Sequence, residues 1–421
     1  MNPLHGNDWP DAPGAGPLGD GRFATEAVHP RTVDEVREAV TRQAEAGRAV
    51  YPQGGRTALD YGRPPGRPGA AVDVSGLNRV IDYPHADMTI TVQAGMTVAA
   101  LRSVLAEHRQ RFLIDVPQAD RATIGGVYAT NASGPRRFGL GPPRDQIIGV
   151  SFVTSDGNEV KGGGRVVKNV AGYDFPKLMT GSLGTLGVIT QATLKVRPRP
   201  GASALVWLAV DGPGALEAYR PAIDASALRP VAVEFLNPSA ATILGRSVGL
   251  VGGVWTLVLG FEDAATSVAW QVDHLRSMAQ GPVEVLRDDE AQPLWTAMTD
   301  FQAAPGPLVC SASMRPSFVA EFMAEFASDR WALQAHAGSG VVRMRAIQEL
   351  SEDQAAADVA ASRARIASAG GALVVVRCPT AWKPRLKVWG DPRPDWALGR
   401  AVKTALDPIG LMNPGRFVGE V

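Results

Sequence analysis

Ala122-Thr123-Ile124-Gly125-Gly126-Val127-Tyr128-Ala129-Thr130-Asn131-Ala132-Ser133-Gly134 is the stretch whose reading decides the fold. From Thr123 onward it holds three glycines, two alanines, two threonines, an asparagine and a serine. Such a segment has little to bury and much to donate. Small side chains let a flat ring approach the main chain, and Thr123, Thr130, Asn131 and Ser133 offer hydrogen bonds to ring carbonyls and nitrogens. Upstream stands a second glycine-rich segment, Tyr51-Pro52-Gln53-Gly54-Gly55-Arg56-Thr57. Each follows an apolar run that reads as a strand, and each presents consecutive N–H groups free of bulky side chains. Two such loops predict a ligand with a pyrophosphate at its middle, a dinucleotide cofactor. Neither loop has the G-x-G-x-x-G opening of a Rossmann unit or the Gly-Lys-Ser/Thr of a Walker loop, so the expected site lies outside both nucleotide folds.

Two further runs of small residues follow. Gly162-Gly163-Gly164-Arg165-Val166-Val167-Lys168-Asn169-Val170-Ala171-Gly172-Tyr173-Asp174 reads as a glycine-rich arm whose Lys168-Asn169 and Tyr173-Asp174 suggest more than flexibility. Gly181-Ser182-Leu183-Gly184-Thr185-Leu186-Gly187-Val188-Ile189-Thr190 enters a strand and fits close packing as well as it fits a ligand.

Between these landmarks the pattern alternates helix and strand. Thr32 and Glu35 form a capping box for a helix with Val33, Val36 and Val40 on one face and Gly47 as its stop. Strands are expected at 49–51, 71–74, 89–92, 111–116, 147–154, 158–161 and 191–196, with an Asp156-Gly157 hairpin turn. A second helix starts at Thr97 and buries Val98, Leu101 and Leu105. Arg197-Pro198-Arg199-Pro200-Gly201 marks a domain boundary. Beyond it, strands at 205–210, 231–236, 255–261, 308–312, 333–336 and 373–377, with helices near 264–280, 318–327 and 355–369, predict an α+β domain built on an antiparallel sheet. The expected division is a flexible leader over 1–21, a cofactor domain over 22–200, an α+β cap over 201–405 and a C-terminal tail over 406–421.

Composition narrows the function. The 421 residues carry 42 basic and 42 acidic side chains, so no global positive field draws nucleic acid. Arg136, Arg137 and Arg144 cluster locally, as they would to solvate a loop or hold an anionic ligand. Two cysteines, Cys310 and Cys378, argue against a disulfide scaffold and for a reducing, cytoplasmic setting. No signal-peptide pattern and no membrane-length apolar run occur, so any membrane contact is expected through partners.

The order of the four small-residue segments resembles the FAD-binding domain of the vanillyl-alcohol oxidase, or p-cresol methylhydroxylase (PCMH), type over about residues 22–200. The runs ATIGGVYATNASGPRRFGLGPPRDQIIGV and VVKNVAGYDFPKLMTGSLGTLGVIT, with the tail DPIGLMNPGRF, resemble the FAD-binding subunits of bacterial glycolate oxidase complexes. The resemblance implies a two-subdomain FAD-binding domain followed by the α+β cap. It implies that Pro52, Gln53, Gly54, Gly55, Arg56 and Thr57 wrap the FAD pyrophosphate. Pro117, Thr123, Gly125, Gly126, Ala129, Thr130, Asn131 and Gly134 would line the flavin and ribityl region. Gly187, Val188 and Ile189 would give backbone contacts, and Asn413 would return towards the isoalloxazine. Gly55-Arg56 stands where some relatives carry a flavin-linking His or Cys, so the FAD is expected to be non-covalent. The partners implied are a catalytic flavoprotein paralogue and an iron–sulfur subunit, and the reaction is oxidation of glycolate to glyoxylate.

One departure matters. Related D-2-hydroxyacid dehydrogenases place two metal-binding histidines seven residues apart in a segment that matches His336-Ala337-Gly338-Ser339-Gly340-Val341-Val342-Arg343 here. His336 remains, but Arg343 replaces the second histidine and cannot ligate a metal. No metal is therefore expected. His336 and Arg343 are the candidate catalytic residues, Arg343 as an anchor for a substrate carboxylate. The readings left open are an accessory FAD subunit of a complex, a free-standing FAD-dependent D-2-hydroxyacid dehydrogenase acting on D-lactate or glycolate, and a scaffold that keeps the fold without using flavin.

Overall fold

A computed structural model describes residues 15–164 and 172–420. Three sheets organise it. The first is small and parallel, in the order Glu26–Val28, Gly69–Asp73, Ala49–Gln53. The helix Val33–Glu45 crosses between its strands, capped by the Thr32 hydroxyl on the Glu35 N–H, with Val36, Ala39 and Val40 buried. The second is antiparallel, in the order Glu159–Gly163, Ile147–Val153, Val188–Lys195, Thr89–Gln93, Val80–Asp82. Its inner face packs on the helix Val98–Ala106 through Val98, Leu101 and Leu105, the stripe its 3.6-residue spacing predicts.

The third sheet has eight antiparallel strands. Their order is Val283–Arg287, Ala202–Val210, Trp255–Asp263, Ala232–Leu236, Trp331–His336, Val341–Ala346, Val309–Ser313, Ala372–Arg377. Helices such as Ala265–Met278 and Glu352–Ala367 cover it, each burying one stripe. This is the antiparallel α+β cap the alternating pattern implies. The strand Val341–Ala346 was not anticipated. Its Gly-Ser-Gly lead-in hides a run that pairs along its length with both Trp331–His336 and Val309–Ser313.

Three expectations need correction. The leader cannot be flexible throughout. Residues 1–14 lie outside the described range, but Pro17–Gly19 pair with Arg22–Phe23, and Leu18 is buried. Asp20 is buried too, ion-paired to Lys383 at 2.6 Å and Arg416 at 3.0 Å. The strand expected over 111–116 is only a two-residue ladder, Gln110–Arg111 against Arg197–Pro198. And the glycine-rich run after it forms a helix, Ile124–Thr130, not a loop. Thr123 caps its start and Asn131, in the left-handed region, ends it.

The two halves meet through a buried ionic cluster. Arg136 binds Asp115 at 2.7 Å and Glu262 at 2.7 Å, and Arg111 also pairs with Glu262. The Arg136 guanidinium lies 3.6 Å above the Trp295 ring. Burial opposes its charge, but Asp115 and Glu262 outweigh burial and raise its pKa. The C-terminal tail also ties back. The Val50 N–H donates to Leu411 at 2.9 Å and the Asn413 N–H to Val50 at 2.7 Å, so residues 411–413 extend the small parallel sheet.

Candidate functional site: a flavin cleft continuous with an arginine-walled cavity

The strand Ala49–Gln53 ends at Gly54, where the chain leaves the sheet over an open cleft. The N–H groups of Gly54, Gly55, Arg56 and Thr57 donate to no described residue. Four successive unpaired amides on one wall form a site for phosphate oxygens. The opposite wall is the helix Ile124–Thr130. Gly126 and Ala129 leave it flat, and a side chain at Gly126 would meet only the Thr123 hydroxyl at 3.2 Å before entering the cleft. The turn Leu183–Ile189 and Asn413 complete the wall. Asn413 donates its side-chain amide to the Leu183 carbonyl at 2.6 Å.

Backbone strain collects here. Arg56, Gln118, Asn131, Leu183 and Asn413 line the cavities with φ between 43° and 54°. Non-glycine residues adopt such angles rarely, and they cluster where function needs an unusual chain path. Arg56 is fixed by an ion pair to Asp73 at 2.9 Å.

The cleft continues through Arg56, Thr57, Leu59, Tyr61, Gly126 and Thr130 into a larger cavity of about 760 Å³ between the two halves. Arg137, Arg343 and Arg377 line it, with Ser311, Gln118 and Trp389. The strand register explains the convergence. Ser311 faces Arg343 on one neighbour, and Val309, two residues away on the same face, faces Arg377 on the other. Arg343 donates to Ser311 Oγ at 2.6 Å, Arg137 to Ser133 Oγ at 3.3 Å, and Arg377 to the Ala303 carbonyl at 3.2 Å. None of the three pairs with a described carboxylate. The Arg343 Nε is buried without a partner. Burial lowers the Arg343 pKa to about 10, with Arg137 adding to the shift and Tyr61 and Glu234 opposing it, so the group stays charged at neutral pH. Three arginines held by hydroxyls and carbonyls thus line a cavity whose wall also includes Asp20 and Asp60.

The structure gathers Pro52, Gln53, Gly54, Gly55, Arg56, Thr57, Thr123, Gly125, Gly126, Ala129, Thr130, Gly187, Val188, Ile189 and Asn413 around the first cavity, and Pro117, Asn131 and Arg343 around the second. Two sequence candidates fall outside. Gly134 packs on Asp115, where a Cβ would stand 2.8 Å from the aspartate Cβ, and lines neither cavity. His336 is buried off the cavity wall, its Nδ1 2.8 Å from Glu234, which also accepts from Gln334 at 2.6 Å. The ring is engaged with a carboxylate and meets no open space. Gly125 lines the cleft, but its N–H is given to the Ala94 carbonyl at 2.7 Å, so this second segment supplies shape there and not a free amide. Lys168 and Asn169 lie outside the described residues. Tyr61 and Arg377 were missed as site residues, since only the fold brings them to the cavity; of the local cluster Arg136, Arg137 and Arg144, only Arg137 lines it, Arg136 being taken up by Asp115 and Glu262. Among the described residues no group of three His, Cys, Asp or Glu side chains stands together as metal ligands.

Comparison with known proteins fits this geometry. Residues 24–163 match the FAD binding domain family, and residues 391–417 match the C-terminal domain of FAD linked oxidases. The solved alkyldihydroxyacetonephosphate synthase has the same fold, with a TM-score of 0.67 at 18% identity over 93% of this chain and 77% of that one. Fold and cleft together define an FAD-binding protein of the PCMH type, and FAD is its cofactor. More particularly, it is an FAD-linked oxidoreductase. D-2-hydroxyglutarate dehydrogenase of Xanthomonas citri pv. viticola is 29% identical over 424 residues, 92% of this chain and 88% of its own. Glycolate oxidase subunit GlcE of Escherichia coli is 38% identical over 141 residues, so the match spans 33% of this chain and 40% of that protein.

Proposed function

We propose that the chain is the FAD-binding subunit of a glycolate oxidase complex, which oxidises a 2-hydroxy acid, glycolate in the first instance, together with a catalytic flavoprotein paralogue and an iron–sulfur subunit. One observation carries the substrate class. The cleft that fits FAD opens directly onto a cavity walled by Arg137, Arg343 and Arg377, cations without carboxylate partners. A small anion is what such a wall binds. The likeness to GlcE supports the subunit reading.

Bound FAD supplies the acceptor for the hydride that leaves the substrate's α-carbon. The protein's own work is binding and orientation. Gly54 to Thr57 hold the phosphates through main-chain amides, and Arg56 adds a charge beside them. The flat face of the helix Ile124–Thr130 supports the ring system. Arg343 presents its guanidinium to the carboxylate, braced by Ser311, and Arg137 approaches from the other half of the molecule.

A second reading, a free-standing D-2-hydroxyacid dehydrogenase, is favoured by the alignment with the Xanthomonas enzyme along nearly the whole chain. Anaerobic titration of the purified holoprotein separates them. If the chain is an accessory subunit, glycolate and D-2-hydroxyglutarate leave the flavin oxidised until the partner subunits are added. Bleaching of the isolated chain by either acid overturns the subunit reading and supports the free-standing enzyme. A holoprotein that neither acid reduces, with or without partners, removes both.

A further inference from the structure

Tyr61 stands where the two cavities join and belongs to the walls of both. Its ring is held by an inclined contact with Trp389, centroids 5.3 Å apart at 60°. Trp389 is itself fixed, its indole N–H donating to the Arg416 carbonyl at 3.1 Å and its ring edge on Phe417. The phenol is therefore positioned from behind. Its hydroxyl nevertheless makes no hydrogen bond with any described residue. A half-buried phenol that is clamped at the ring, with its oxygen unpaired on the cavity wall, is placed to bond a ligand in that cavity.

Its charged neighbour is Arg343, close enough to stabilise the ionised phenol. On Arg343, Nη1 is occupied by Ser311, while Nε has no partner. Tyr61 and Arg343 line the same cavity, so an anion held there by the guanidinium shares that space with the phenol. We propose that the Tyr61 hydroxyl is a second donor to the substrate carboxylate held by Arg343, so that the two side chains form one anion clamp at the junction of the flavin cleft and the substrate cavity. Burial raises the Tyr61 pKa despite Arg343, so the group keeps its proton at neutral pH and donates rather than repels. A donor to a carboxylate makes a charge-assisted bond, stronger than one to a neutral hydroxyl.

The inference rests on the 2-hydroxy-acid reading and is tested separately from it. Oxalate, a small dianion that cannot be oxidised by hydride loss, is titrated into the purified holoprotein, and binding is read from the flavin difference spectrum. Tyr61→Phe keeps the ring against Trp389 and removes only the oxygen. The expected result is a loss of oxalate affinity of about 10-fold or more with full FAD content and an unchanged melting temperature. Arg343→Met weakens oxalate as well, and the double variant loses less than the product of the two losses, because the two side chains share one ligand. Wild-type oxalate affinity in Tyr61→Phe overturns the clamp while leaving Arg343 as the anchor. Loss of FAD from Tyr61→Phe also overturns it, assigning the hydroxyl to the cofactor. If Arg343→Met binds oxalate as well as the wild type, the anion-site reading itself falls.

Discussion

A methyl group placed on Gly54 would overlap the hydroxyl of Thr123, the residue that caps the helix Ile124–Thr130. The two glycine-rich segments are thus pressed against each other, and the first glycine is small to admit its neighbour, not only the cofactor. Gly55 repeats the relation with the Arg121 carbonyl. Neither glycine has a positive φ. Gly126 differs, since its open side is the cleft. Gly54→Val should therefore unseat both walls, costing about 1–3 kcal/mol of stability as well as FAD. Gly126→Val should lose FAD with little change in the melting temperature of the apoprotein. Flavin absorbance per chain and thermal unfolding of the stripped protein measure the two effects, and equal destabilisation by both variants would contradict the assignment.

Arg343 is a cation half-buried without a carboxylate, so it carries a desolvation cost that no ion pair returns. Replacing it with methionine, similar in length and apolar, should leave the apoprotein as stable or more stable. Oxalate protection against heat, by contrast, should disappear in the variant, because ligand stabilisation depends on affinity. A variant that melts several degrees lower without ligand would make Arg343 a structural residue.

What the sequence revealed was what local chemistry dictates. Val98, Leu101 and Leu105 fall on one helical face, and Thr32 with Glu35 fixes a helix start, because period and cap are properties of a few neighbours. The glycine loop at 54–57 was legible for the same reason. The run 123–134 was misread as a loop because Gly-Gly disfavours a helix by roughly 1 kcal/mol per glycine. The fold overrides this: Gly125 packs on Ala94, 2.9 Å from where its own Cβ would lie, and only glycine permits that approach. Arg137, Arg343 and Arg377 come from three distant segments, and no spacing along the chain announces their meeting. His336 was singled out for its type, yet its register opposite Glu234 turns it into a buried strand-to-strand pair.

The Asp115–Arg136–Glu262 cluster joins the FAD-binding half to the cap. Glu262→Gln keeps the shape but leaves Arg136 and Arg111 short of a charge. Breaking a buried pair in this way costs about 3–5 kcal/mol. Urea unfolding followed by tryptophan fluorescence should shift to lower midpoint, with Trp295, under Arg136, reporting the change. Exchanging Arg136 for Met in the same chain should deepen the loss, since the buried Asp115 then stands without its ion-pair partner and Arg111 stays unpaired. An unchanged midpoint in Glu262→Gln would mean that the cluster does not couple the halves.

Alkaline stability tests the buried thiols. Burial pushes Cys310 from 9.0 up to about 12 and Cys378 up to about 11. In the native protein both keep their protons where the unfolded chain would already have lost them. The native state then binds more protons than the unfolded one, so stability falls as pH rises. The contribution is complete below pH 9 and is lost progressively between pH 9 and about 11 for Cys378, and on to about 12 for Cys310. Each thiol contributes a slope of about 1.4 kcal/mol per pH unit within its window. Tyr51, pushed by burial from 10.0 to about 12, steepens the fall above pH 10. The Cys310→Ala, Cys378→Ala double variant is expected to start less stable, because both side chains are in the core. Its stability should nevertheless decline less steeply with pH than that of the parent between pH 9 and 10. Parallel curves for the two proteins would show that neither thiol is held protonated by the fold.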